Sequence, residues 1–467
     1  MSKINTNVSS LIAQRVLKKN NNALNTSLER LSTGLKINKG ADNPAGLIVS
    51  ENLRAEKAGI SQAIDNAERA SNIIGTAEGG LTEISSLLTE VQSLVSEAAN
   101  TGGLSTEELA ANQLQVDSIL STINRIAQST SFQGAKLLNG SYDYTTSSVA
   151  STSIDNLRIN AARLPDGATG SVVVQVVTSA ETGELAYSGG TVAGSTVTIE
   201  VAGNRGTEQL SFASGTTVSS IATAINSVKE ATGVSASVTG AGAFQVNSTE
   251  YGSAQFVSLK GIAGTFTMAS TKDVGADAAV TVNGAEAQVD GLKVSYRSSN
   301  LDVEFDIDTT FNGPNSTTFG VTGGGASFAL GSKVTEGDKA SIGIASVTTG
   351  SLGDNANGYL SSLGSGGTNS LTSENLTTAQ KVIDKSIKQV SQLRGRLGAF
   401  QRFTIGSTVN SLGVALENAS AAESAIRDTD FAEETANLTR SQILAQAATT
   451  VLAQANASPQ AALQLLQ

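Results

Sequence analysis

The stretch Leu81-Thr-Glu-Ile-Ser-Ser-Leu-Leu-Thr-Glu-Val-Gln-Ser-Leu-Val95 decides the fold class. Its apolar residues Leu81, Ile84, Leu88, Val91 and Val95 fall at i, i+3, i+7, i+10 and i+14, the spacing of a helix that buries one narrow seam. The helix should stop near Asn100-Thr101-Gly102-Gly103. Ser105 and Glu108 then make a capping box for a further helix, with Val116, Ile119, Ile123 and Ile126 on its seam.

Working outward, Asn43 followed by Pro44 is an N-cap and first-turn pair that opens a helix. Before it, Leu17, Leu24, Leu28, Leu31 and Leu35 share one seam of a 3.5-residue repeat. The far end mirrors this pattern. Thr377 and Gln380 read as a capping box, and Ile383, Ile387, Val390, Leu393, Leu397 and Phe400 form a stripe. Phe431 to Asn456 carries Leu438, Ile443, Leu444, Val451 and Leu452 among many Ala and Gln, and Pro459 opens a last short helix ending in Leu465-Leu466-Gln467.

Between the helical ends, residues ~166–370 are rich in Gly, Ser, Thr and Val. Val172 to Val177 and Thr196 to Val201 read as strands, and a helix is expected over about Val218 to Thr232. Leu301, Val303, Phe305 and Ile307 alternate with Asp302, Glu304, Asp306 and Asp308. Neither register of that acidic run places Gly sixth and a ligand Glu twelfth, as a calcium loop requires, so it reads as the solvated face of a strand. Glycine-rich Gly320-Val321-Thr322-Gly323 lacks the G-x-x-x-x-G-K-[ST] of a phosphate loop. The expected fold is α+β and multidomain: paired N- and C-terminal helices in coiled-coil-like bundles, with one or two mainly β or α+β domains inserted.

Composition narrows function further. The 467 residues include no His and no Cys, which removes Ser-His-Asp and Cys-His nucleophiles, Cys or His zinc sites and disulfides. No cofactor is expected. A net charge of −11 opposes nucleic-acid binding, and the absence of an 18-residue apolar run opposes membrane insertion. The start Met1-Ser-Lys-Ile-Asn-Thr-Asn7 shows no apolar signal-peptide core. These absences point to a structural chain and not an enzyme.

Several ordered motifs at both ends resemble bacterial flagellin, the subunit of the flagellar filament. They are Ile4-Asn5-Thr6-Asn7, Leu31-Ser-Thr-Gly-Leu-Lys-Ile-Asn38, Ala41-Asp-Asn-Pro-Ala-Gly-Leu47 and Ser131-Phe-Gln-Gly-Ala-Lys-Leu-Leu-Asn139. The C-terminal set is Leu393-Arg-Gly-Arg-Leu-Gly-Ala-Phe400, Ala425-Ile-Arg-Asp-Thr-Asp-Phe431, Ser441-Gln-Ile-Leu-Ala-Gln-Ala447 and Val451-Leu-Ala-Gln-Ala-Asn456. The middle carries little of the likeness.

The resemblance implies an inner-tube domain from 1–44 with 428–467, an outer-tube domain with a hairpin from 45–165 with 371–427, and a surface domain from 166–370. It implies end helices that are disordered in the monomer and pack between subunits through Leu17, Leu24, Leu28, Leu31, Leu35, Leu438, Ile443, Leu444, Val451 and Leu452. Leu81, Ile84, Leu88, Val91, Val95, Ile383, Ile387, Val390 and Leu397 would form the outer-tube core. Further implied are a helical homopolymer, an export chaperone, a filament cap and hook-associated proteins as partners, and export through the flagellar type III channel to an extracellular flagellum. The alternatives are a hook–filament junction protein of the same family, or a flagellin whose middle domain is adhesive. A metallopeptidase insert would need H-E-x-x-H, and the chain has no His. An innate immune receptor recognises many flagellins through the helix matching Leu88–Asn100. Here Glu90 stands where strongly recognised members carry Arg, Leu94 matches, and Gln115 replaces an acidic residue, so weak recognition is expected.

Overall fold

The computed structural model describes residues 6–100, 103–164, 169–191, 196–240, 242–266, 268, 270–373 and 375–464, with side chains described as far as residue 457. Contacts divide it into two compact units. One comprises Met1–Glu68, Ala329–Asp338 and Ile405–Gln467; the other comprises Arg69–Phe328 and Lys339–Thr404. Eight α-helices are described: α1 (Val8–Thr33), α2 (Pro44–Ala98), α3 (Thr106–Ser129), α4 (Val218–Ser227), α5 (Lys229–Thr232), α6 (Leu376–Ala399), α7 (Gly406–Arg427) and α8 (Phe431–Gln464).

Helix α2 runs unbroken for 55 residues. Asn43 opens it by accepting the Gly46 N–H at 2.9 Å. Its buried positions keep the heptad spacing from Ile60 through Ala63, Ala67, Ala70, Ile74 and Ala77 to Leu81, Ile84, Leu88, Val91, Val95 and Ala98. Within the second unit α6 lies antiparallel to α2: Gln92 donates to Asp384 at 2.9 Å and Arg394 approaches Glu78 at 3.9 Å. The α3 capping box forms as read, with Ser105 and Glu108 exchanging side-chain-to-backbone bonds at 3.2 and 2.8 Å. Gly80 is a point of close approach. A Cβ there would meet the Thr130 hydroxyl at 2.7 Å and buried Leu138 at 2.8 Å.

The second unit also holds two strand-built cores, the first of which takes in strands that precede residue 166. The first lies between a five-stranded sheet (Ala285–Glu286, Ala279–Val282, Gly170–Thr178, Ser316–Gly324, Tyr144–Ser147) and a four-stranded one (Gln288–Asp290, Lys293–Arg297, Leu301–Ile307, Ile154–Ala162). Val172, Val174, Val176, Phe319 and Val303 are buried there. The second joins the sheet Lys272–Val274, Phe256–Ala263, Val197–Gly203, Gly206–Phe212 and the sheet Glu184–Tyr187, Ala243–Ser248, Val234–Gly240 to α4. All described pairings in these sheets are antiparallel. Leu301–Ile307 alternates buried and half-buried residues as its pattern requires.

Three local expectations are corrected. The helix over Val218 to Thr232 is two helices meeting at Val228, where the amide turns back to Asn226 and Ile225. No capping box forms at Thr377: α6 starts at Leu376, after Asn375, whose amide is taken by the Thr368 carbonyl. Pro459 does not open a separate helix, because α8 runs through it to Gln464. The expected ending Leu465-Leu466-Gln467 lies outside the described residues.

Candidate assembly interface

Within the first unit, α1 and α8 pair antiparallel. Asn7 donates to the Ala455 carbonyl at 2.8 Å, Ser10 to the Asn456 side chain at 2.7 Å, and Asn20 to the Leu444 carbonyl at 3.1 Å. Further along, Arg30 pairs with the buried Glu434 at 3.5 Å. The residues this pairing buries are small or polar: Ser10, Ala13 and Ser27 on α1, Glu434 and Ala448 on α8. Small side chains let helix axes approach closely, and no large apolar side chain on the described part of either helix is fully buried.

Many of the large side chains are exposed. Leu28 is 48% exposed, Ile443 63%, Leu444 47% and Val451 59%; Val8, Leu11, Ile12, Val16 and Phe431 are exposed on the same helices. Leu17, Leu24, Leu31, Leu35, Leu438 and Leu452 are half-buried. The leucine seam expected on α1 is therefore not the dry core of a hairpin. Sequence reading missed Ser10, Ala13 and Ser27 because small residues carry no apolar signal.

Three of the terminal motifs meet in one turn. Gly34 ends α1 in the left-handed conformation at φ 73°, its N–H returning to the Arg30 carbonyl at 2.8 Å. Lys36 N–H donates to the Arg427 carbonyl at 2.7 Å, and Thr429 N–H to the Gly34 carbonyl at 3.0 Å. Asp42 accepts the Lys39 and Asn38 N–H groups, which hold its carboxyl below the ordinary range. Arg427 pairs with Glu51 at 3.1 Å, Lys57 with Glu423 at 2.7 Å, and Asp430 caps α8 through the Ala432 N–H at 2.8 Å. The charges of Arg30, Asp42, Arg427 and Asp430 are thus engaged inside the chain.

In the second unit Leu81, Ile84, Leu88, Val91, Val95, Ile383, Val390 and Leu397 are buried, whereas Ile387 is half-buried. Glu90 and Gln115 are exposed, but Leu94 is only 8% exposed and belongs to the helix core. The acidic strand is occupied by protein groups. Asn160 and Arg297 hold Asp302, Arg297 also reaches Glu304, and Asn156 donates to Asp306. Glu304 and Asp306 line an open cleft of ≈ 720 Å³ with Arg158, Lys293, Lys385 and Lys388. Burial lowers the Arg158 and Arg396 guanidinium pKa values and raises that of the Asp143 carboxyl. The cleft is lined by side chains of both signs, Glu286, Asp290 and Arg297 among them.

The paired end helices thus leave much of their large apolar surface exposed or half-buried in the single chain. Comparisons give the family. The profile of the bacterial flagellin N-terminal helical region matches residues 4–143, that of the flagellin C-terminal helical region matches 380–466, and that of the flagellin hook IN motif matches 196–250. Flagellin B of Vibrio anguillarum is 30% identical over 468 residues, and flagellin A of Vibrio cholerae serotype O1 is 30% identical over 474; each alignment covers 99% of both chains. Among solved structures, FliC from Burkholderia pseudomallei shares 16% identity, with 71% of this chain and 99% of that chain covered and a TM-score of 0.25, too low to bear on the fold. The chain belongs to the bacterial flagellin family and is a subunit of the flagellar filament. The family is one of structural proteins. No helix among the described residues is long and apolar enough to cross a membrane.

Proposed function

We propose that the chain enters the filament by ordering its two ends against neighbouring copies, with no catalytic step. The observation that supports this most is the outward exposure of Leu28, Ile443, Leu444 and Val451 on helices that pair through small residues. Half-covered helices of this kind gain little from intramolecular burial, and packing between copies offsets the entropy of ordering them. A head-to-tail contact that does not close generates an open helical polymer.

The inner-tube part is then 1–44 with 428–467, the outer-tube part 45–165 with 371–427, and 166–370 projects from the surface. Leu17, Leu24, Leu28, Leu31, Leu35, Leu438, Ile443, Leu444, Val451 and Leu452 pack between subunits. The export chaperone, filament cap and hook-associated proteins are the further partners, and the route is the flagellar type III channel. Recognition by the innate receptor is weak, a reading supported by exposed Glu90 and buried Leu94.

Because the chain has no Cys, a single Val451→Cys substitution gives a unique thiol. Maleimide should label it in the monomer and fail to label it in intact filaments. Equal labelling of both would show that Val451 is not covered on assembly.

A further inference from the structure

Asn7 performs two tasks at once. Its side-chain oxygen accepts the Ser10 N–H at 3.0 Å, capping α1, while its amide nitrogen donates to the Ala455 carbonyl at 2.8 Å. The carbonyl it chooses is chemically singled out. In an α-helix the carbonyl of residue 455 receives the N–H of residue 459, and residue 459 is Pro, which has none. Helix α8 continues through that position, so its own ladder lacks a bond where Asn7 supplies one. The adjacent bond from Ser10 to Asn456 fixes the same register.

We propose that Asn7 and Pro459 form a conditional clasp that couples the folding of the two chain ends. Proline is the residue least tolerated in a helix interior, so the α8 tip is poor at standing alone. Docking of α1 returns the missing hydrogen bond from a side chain that no other residue type replaces. Asp has the cap oxygen without the donor, Ser has the cap without the reach, and Gln has the reach with a poorer cap. Asn7 thereby acts as a positioning residue: it sets the register of α8 against α1 and makes order at one end depend on order at the other. This inference rests on the assembly reading above.

The test is a double-mutant cycle on full-length chains: wild type, Asn7→Ser, Pro459→Ala and the double variant. The readout is the critical concentration for growth on preformed filament seeds. Asn7→Ser should raise it about tenfold, the effect of losing one neutral bond and leaving its carbonyl unpaired. In the Pro459→Ala background, where the substitution restores the backbone N–H, the same change should cost less than about twofold. Asn7→Asp, which keeps the cap, should behave like Asn7→Ser in the wild-type background. Unchanged thermal melting of each monomer separates these effects from misfolding. Equal costs in both backgrounds, or no cost in either, would overturn the clasp while leaving assembly intact. Failure of the wild type to extend seeds would overturn both.

Discussion

Replacing Ile443 by alanine removes surface from a side chain that is 63% exposed in the single chain. If copies in the filament cover it, each lost carbon group is worth about 0.8 kcal/mol, and roughly three are lost. Scaling by the exposed fraction leaves about 1.5 kcal/mol, of which the higher helix propensity of alanine returns about 0.4 kcal/mol. The critical concentration for seeded growth should therefore rise roughly fivefold to tenfold. Monomer melting should not move, because the side chain has little to lose there. Leu88→Ala is the control: Leu88 is fully buried, so its loss should cost about 2–5 kcal/mol of folding stability and lower the melting temperature by several degrees. An Ile443→Ala chain that melts early, or polymerises within about twofold of wild type, would refute the division between outward and inward apolar residues.

Gly79 and Gly80 make a matched pair: Gly79→Ala meets open space and should stabilise the monomer by about 0.5–1 kcal/mol, whereas Gly80→Ala meets Thr130 and Leu138 and should lower the melting temperature despite the same propensity gain. Asp277 is held below the ordinary value of 3.8 by the Ser253 hydroxyl and then by the Gly291 and Ser253 N–H groups. Its contribution to stability is present above the unfolded pKa and is lost as pH falls through the folded one. Asp277→Asn should thus flatten the acid limb of a melting-temperature-versus-pH curve while leaving the region above pH ~5 with little slope change. Glu90→Arg should raise the response of an innate-receptor reporter. A change under about twofold would place the weakness elsewhere, with buried Leu94 the first position to test.

The α2, α3 and α6 seams and the alternating Leu301–Ile307 strand were legible because large apolar residues repeat there with the period of the element that buries them. Other features gave no such signal. The Ala63, Ala67, Ala70 and Ala77 half of the α2 seam is silent, since alanine is as common on exposed helix faces as on buried ones. The α1–α8 contact was hidden for the same reason: Ser10, Ala13 and Ser27 are the residues it buries on α1, while of the visible leucines Leu28 is exposed and Leu17, Leu24, Leu31 and Leu35 are only half-buried. Thr377 with Gln380 has the capping-box spacing, yet α6 begins before it, so the motif falls inside the helix. Pro459 broke the reading of α8 because a local rule against proline does not know of a donor from the opposite end of the chain. Nor did any residue pattern foretell the π-helical segment Phe400–Ile405 after α6, where Phe400 lies 6.1 Å from Phe328, centroid to centroid.

Seeded growth of the intact chain beside a version ending near Ala425, imaged by negative-stain electron microscopy, tests the central claim most directly. The account predicts long filaments from the intact chain and none from the shortened one, which lacks all of α8. Filaments of equal length from both would contradict it, because assembly would then proceed without the paired terminal helices.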